Sequence, residues 1–142
     1  MTATLDELRA RITVQHTQLY AVFMQWTNTR WTDPETFESP EGRELRRQHL
    51  QFQMDMQDRG ILLAAGPLSY AEPADDHRHV TAMGMYLFAA NSREEAERIA
   101  QSEPFYRAGL RTYTLCGWSL NEGVAWQLAR TLRETVEASP PA

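Results

Sequence analysis

The sequence predicts a single α+β domain built on one four-stranded sheet. The core element order is β-α-β-β-α-β, with an extra helix at each end. Three observations predict this. Two segments carry apolar residues at helical spacing: Leu45, His49, Phe52 and Met56 in one, Ala96, Ile99, Ala100 and Glu103 in the other. Four stretches rich in aromatic and β-branched residues surround them, at 19–27, 61–69, 81–90 and 111–120. Glycine and proline punctuate the junctions, at Gly60, Gly66-Pro67, Pro104 and Gly109. A chain of 142 residues is long enough for one domain with a true core.

The elements follow in order. Residues 4–15 read as a helix, with Thr4 and Glu7 as a capping box and Leu5, Leu8 and Ile12 as its apolar side. Residues 19–27 (LYAVFMQWT) are too apolar for a strand with a wet face, so they form a central strand. Residues 28–42 hold Pro34, Pro40 and Gly42 and read as a long loop. The helix 43–59 follows, turns at Gly60, and leads into the strand 61–69, closed by Gly66-Pro67. Residues 70–80 form a polar loop before the apolar strand 81–90. Ser92 and Glu95 cap a helix that runs from 93 to about Glu103, where Pro104 ends it. A compact turn places Gly109 at positive φ and leads into the last strand, 111–120. Residues 121–138 form a C-terminal helix with Val124, Leu128, Leu132 and Val136 at i+4 spacing. Without its terminal helices, this order is the ferredoxin-like split unit. The expected organisation is an N-terminal extension 1–18, the ferredoxin-like domain 19–120, and a C-terminal helix and tail 121–142.

Composition narrows the function. A net charge of −5, with no basic cluster, argues against nucleic acid and anionic membrane as partners. The N-terminal MTATLDELRARI carries charges where a signal peptide needs an apolar run, and no stretch is apolar enough to span a bilayer. The single Cys116 allows no intramolecular disulfide and no thiolate metal site, in keeping with a cytoplasmic location.

Five groups of residues have chemical potential. His49 and Glu103 sit on the inner stripes of the two core helices, and the ferredoxin-like unit packs both helices on one sheet face. The two side chains can therefore meet. A carboxylate that accepts a proton from imidazole fixes the tautomer and raises basicity, which makes His49 a candidate general acid/base. The alternative is a buried pair that only satisfies itself. Arg46, one turn from His49, is a candidate contact for a carboxylate or enolate oxygen. Trp31 and Phe37 in the long loop either pin it to the body or line a site. Trp26 and Trp118, near the ends of the first and last strands, are either core or the walls of an aromatic pocket. Asp75, Asp76, His77 and His79 have metal-ligand chemistry at unspecific spacing and read as a solvated loop, so no metal is expected.

RRQHLQFQMDMQDRGILLAAGPLS, followed by GMYLFAANSREEAERIAQSEPFYRAGL, resembles the YciI-like (YCII-related) family over about residues 19–120. The matching features are Arg46 and His49, Gly60, the strand ending Ala65-Gly66-Pro67-Leu68, Ser92 with Glu94-Glu95-Ala96, and Glu103-Pro104-Phe105 with Gly109. The resemblance implies a ferredoxin-like fold that pairs into a dimeric α/β barrel, and a His–acid pair in a pocket. It also implies kinship with muconolactone isomerase and with a dehydrochlorinase of chlorinated hydroxyhydroquinone. The sequence departs from the pattern in three ways: Glu103 replaces the usual Asp, the loop 28–42 is long, and the terminal helices are additions.

The combined expectation is a homodimeric, cofactor-free enzyme of lyase or isomerase type acting on a small cyclic or aromatic-derived molecule. His49 would be the base, Glu103 its orienting partner, and Arg46, Trp31, Phe37, Trp26 and Trp118 the substrate contacts. Two alternatives are a non-catalytic ligand-binding accessory protein and a cofactor-independent monooxygenase on the same barrel.

Overall fold

Residues 2–27, 33–68 and 83–139 are described by a computed structural model. The elements are α1 (Leu5–Gln15), β1 (Thr17–Trp26), α2 (Pro34–Glu38), α3 (Pro40–Asp58), β2 (Leu62–Leu68), β3 (Met83–Phe88), α4 (Arg93–Gln101), α5 (Pro104–Arg107), β4 (Arg111–Leu120) and α6 (Trp126–Ala138). The strands form one antiparallel sheet in the order β2-β3-β1-β4. This is the ferredoxin-like arrangement, with α3 joining β1 to β2 and α4–α5 joining β3 to β4.

Local chemistry sets the boundaries. Thr4 and Glu7 make the full capping box of α1. Ser39 caps α3 through Gly42 N–H, and Pro40 occupies the first helical position, where its missing N–H costs nothing. The helix therefore starts three residues before the expected position 43. The loop 28–42 also contains the short helix α2. A Cβ at Gly42 would lie 2.4 Å from the Thr36 carbonyl oxygen, so glycine alone lets α2 lie against the first turn of α3. Gly66-Pro67 does not close β2 but lies inside it. β2 is an edge strand, where a proline can leave its missing donor on the open side.

Strand register assigns the two faces. Val22, Met24 and Trp26 share one face with Leu115, Tyr113, Arg111 and Tyr86. The core helices cover this face: Phe52 of α3 meets the Tyr86 ring edge-on, and Gln101 of α4 donates to the Tyr113 hydroxyl. The other face is buried at Thr17, Leu19, Ala21 and Leu120. Further along it opens, with Phe23, Met85, Leu87 and Cys116 half-buried and Gln25 and Thr114 exposed.

The terminal helices differ from expectation. α6 begins at Trp126, after Gly123 at φ +96°, and buries Ala129, Leu132 and Val136. Val124 lies before the helix and is 93% exposed, and Leu128 also faces outward. α1 buries none of its residues, so Leu5 and Leu8 are open in the single chain. No helix among the described residues is long and apolar enough to cross a membrane. Asp75, Asp76, His77 and His79 lie outside the described residues.

Candidate active site

The site begins with a proline. Pro104 disfavours helical backbone at the residue before it, so Glu103 is extended (φ −64°, ψ 129°) and leaves the line of α4. The sequence reading placed Glu103 at the end of that helix's apolar stripe. It is instead the N-cap of α5, fully buried, with Oε2 accepting from Tyr106 N–H at 2.8 Å. Its other oxygen, Oε1, lies 2.6 Å from Nδ1 of His49 on α3. The Glu103 side chain thus spans from the helix cap to the imidazole.

Burial alone would raise the Glu103 pKa. The hydrogen bond and charge of His49, the Tyr106 N–H and the Arg111 charge together outweigh it and hold the carboxyl below its ordinary value. An ionised carboxylate only accepts, so the proton between the pair sits on His49 Nδ1. Nε2 is then the nitrogen left for a ligand, and His49 lines a cavity between α3, α5 and the sheet.

That cavity has a volume of about 370 Å³, within the range of small-molecule sites. Phe37, Arg46, Leu50 and Gln53 form one side, Phe105 and Arg111 another, and Met24, Tyr86, Gly84 and Pro67 belong to the sheet. Arg46 stacks on Phe37, with its guanidinium carbon 4.3 Å from the ring centroid, and pairs with Glu38 at 3.1 Å. Its Nε is buried without a hydrogen-bond partner among the described residues. The seat of α2 against Gly42 thus places Phe37 and Glu38 in the cavity wall.

Two residues missed in the sequence stand out. Arg111, the first residue of β4, lies between two rings, 3.9 Å from the centroid of Trp26 and 4.5 Å from that of Phe105. Burial pushes its pKa down to about 10, opposed by Glu103 and Tyr86, so it keeps its charge at neutral pH. Tyr86 on β3 is buried, and its hydroxyl has no hydrogen-bond partner among the described residues. Burial, then the charge of Glu103, pushes its pKa up, so the phenol stays protonated.

Of the residues expected at the site, His49, Glu103, Arg46 and Phe37 come together. Trp26 stands behind the wall, edge-on to Phe105 at 4.9 Å and stacked under Arg111. Trp118 does not belong here. β1 and β4 are antiparallel, so Trp26 pairs with Arg111 while Trp118 pairs with Leu19, at the opposite end and on the opposite face. Trp31 lies outside the described residues.

The domain is a ferredoxin-like α+β sheet in which a half-buried histidine meets a buried carboxylate at the edge of a cavity. The model of the YCII-related domain matches residues 20–119, and the chain belongs to that family. Among solved structures, the fold is similar to 5-chloro-2-hydroxyhydroquinone dehydrochlorinase from Burkholderia phenoliruptrix AC1100, in complex with 2,5-dihydroxybenzoquinone. The TM-score is 0.53 and the sequence identity 17%, over 70% of this chain and 92% of that one. At this identity the likeness is one of fold. No curated protein matches the chain in sequence.

Proposed function

We propose that this chain is a cofactor-independent enzyme of lyase or isomerase type. Its substrate is a small cyclic or aromatic-derived molecule, and its chemistry is proton transfer. The observation that carries this reading is the 2.6 Å contact between His49 Nδ1 and Glu103 Oε1, with the second imidazole nitrogen left for the cavity. Glu103 fixes the tautomer and stabilises the imidazolium. His49 Nε2 takes a proton from the substrate, and the electron pair of the broken bond moves into the ring system. Returning the proton at another carbon completes an isomerisation. Expelling an anionic leaving group completes an elimination, with the acid HX as the net product. The cavity holds one substituted ring, and Met24, Phe37 and Phe105 suit its faces. The similar structure bears the name of a dehydrochlorinase of a chlorinated hydroxyhydroquinone, which adds elimination from such a ring to the reactions worth testing.

The test is turnover by purified protein on chlorinated hydroxyhydroquinones and unsaturated lactones, with His49→Ala beside wild type. The variant should lose turnover and keep its circular dichroism spectrum. Full activity in His49→Ala would overturn the proposal.

A further inference from the structure

Two polar groups of the same cavity, the half-buried Arg111 guanidinium and the buried Tyr86 hydroxyl, make no hydrogen bond among the described residues. We infer that Arg111 and Tyr86 form a subsite for an anionic oxygen carried by the substrate ring, a phenolate or an enolate. This rests on the proposed reading of the cavity and names the substrate class more closely.

The polar groups of the cavity differ in what they already bind. Arg46 is partly occupied: its Nη2 pairs with Glu38 and its plane stacks on Phe37, while its buried Nε is left unpartnered among the described residues. Arg111 has no carboxylate in hydrogen-bond contact among the described residues. Glu103, whose charge acts on it, has its two oxygens engaged by His49 and Tyr106 N–H. The two rings around Arg111 satisfy the faces of the guanidinium but not its N–H edge. Among the described residues the fork therefore keeps donors for a further oxygen, and arginine forks suit anionic oxygens.

Tyr86 supports the same site independently. Its ring is 2% exposed, yet its hydroxyl meets no acceptor among the described residues. A buried donor without a partner is costly, and a phenylalanine would avoid the cost. A hydroxyl kept under those conditions fits a donor waiting for a ligand. Tyr86 lines the same cavity as Arg111 and His49. Gly84 lies beside the guanidinium, where a Cβ would meet Arg111 Nη1 at an ordinary contact distance of 3.8 Å.

The placement also suits the reaction. His49 and Arg111 flank the same ring, 5.4 Å and 4.5 Å from the Phe105 centroid. A substrate ring lying in the cavity can present a C–H or O–H to His49 Nε2 and an oxygen to Arg111 and Tyr86. When the proton leaves for Nε2, the electron pair moves through the ring to that oxygen. The two donors hold the charge where it develops.

The test uses binding, which needs no turnover. The probe is 4-nitrophenol, followed by absorbance, with neutral 4-nitrotoluene as its uncharged partner. Wild type should prefer the phenolate and lower the pKa of the bound probe. Arg111→Met should weaken phenolate binding tenfold or more while leaving nitrotoluene unaffected. Tyr86→Phe should weaken it about tenfold, and its melting temperature should equal or exceed wild type. That last result separates a ligand donor from a structural one, because a structural hydroxyl would cost stability when removed. Equal phenolate binding by wild type and Tyr86→Phe would overturn the inference, as would no preference for phenolate in wild type. Arginine-dependent phenolate binding without turnover of any ring substrate would sink the proposed reaction and leave the anion site standing. Turnover that needs His49 and ignores both Arg111→Met and Tyr86→Phe would do the reverse.

Discussion

Replacing Glu103 by glutamine should invert the tautomer of His49. Two donors converge on the carboxylate, His49 Nδ1–H at 2.6 Å and Tyr106 N–H at 2.8 Å, and each takes one oxygen. Glutamine offers one acceptor oxygen and an NH2 group. The backbone N–H of Tyr106 cannot change role, so the amide oxygen stays with it. The NH2 group then faces Nδ1. That contact survives as a hydrogen bond only if Nδ1 accepts, which moves the ring proton to Nε2 and removes the base from the cavity. In the Ser-His-Asp template, the equivalent acid-to-amide change lowers kcat about 10⁴-fold through the wrong tautomer, so a loss of about 10³- to 10⁴-fold is expected here. The stability cost is much smaller. A charge-assisted bond becomes a neutral one of roughly half its strength, about 1 kcal/mol, or about 3–4 °C in melting temperature.

Nitrogen-15 correlation spectra of the histidine rings read the protonated nitrogen directly. Wild type should show His49 protonated on Nδ1, and Glu103→Gln on Nε2. Glu103→Asp is the control. Its reach is about 1.5 Å shorter, so it keeps the cap on Tyr106 N–H and releases His49. A Glu103→Gln variant that keeps the proton on Nδ1, with turnover near wild type, would refute the reasoning.

Three further predictions follow from the packing and charge. Because the folded Glu103 pKa lies below its ordinary 4.5, its stabilisation is complete above that value and is lost as pH falls through the folded value. In denaturant titrations, the stability gap between wild type and Glu103→Gln should therefore narrow between pH 7 and about pH 3, and a constant gap would contradict the electrostatic account. Leu132→Ala should cost about 2–5 kcal/mol, while Val124→Ala stays within about 0.5 kcal/mol, both read from chemical denaturation. The open sheet face at Phe23, Met85, Leu87 and Cys116 is an apolar surface that favours a second copy. Wild type should sediment as a dimer and Phe23→Asp as a monomer, and a monomeric wild type would refute the pairing.

Much of the fold was legible because its signals are local. Arg111–Leu120 is the strand expected from its sequence, and Gly60 and Gly109 adopt the positive φ that their turns required. Errors arose where a periodic pattern was trusted beyond its geometry. Residues four apart drift about 40° around a helix at each step, so Val124, Leu128, Leu132 and Val136 cannot share one face. The buried stripe is Ala129, Leu132 and Val136, at i, i+3 and i+7. In α1, Leu5, Leu8 and Ile12 do share a face, but a stripe does not reveal what covers it. The helix α2 was lost because five residues between two prolines carry no period.

The candidate site was legible in its histidine–carboxylate pair and hidden at Arg111 and Tyr86, and the difference is physical. His49 and Glu103 are polar residues inside apolar helical patterns, which mark them without any partner in view. Even there, the extended backbone imposed by Pro104, rather than helical phase, brings the carboxylate to the imidazole. Arg111 had a weaker signal of the same kind: alternation puts it on the face of Tyr113 and Leu115, an inward position for a cation. Tyr86 had none, because a tyrosine in MYLFAA reads as core, and its ring is core. What distinguishes it is a hydroxyl without an acceptor, which depends on every neighbour at once. A residue that completes the packing and leaves one polar atom unspent can be recognised only after the packing is known. Deleting that one atom, as in Tyr86→Phe, is therefore the cleanest way to separate what the fold needs from what a ligand needs.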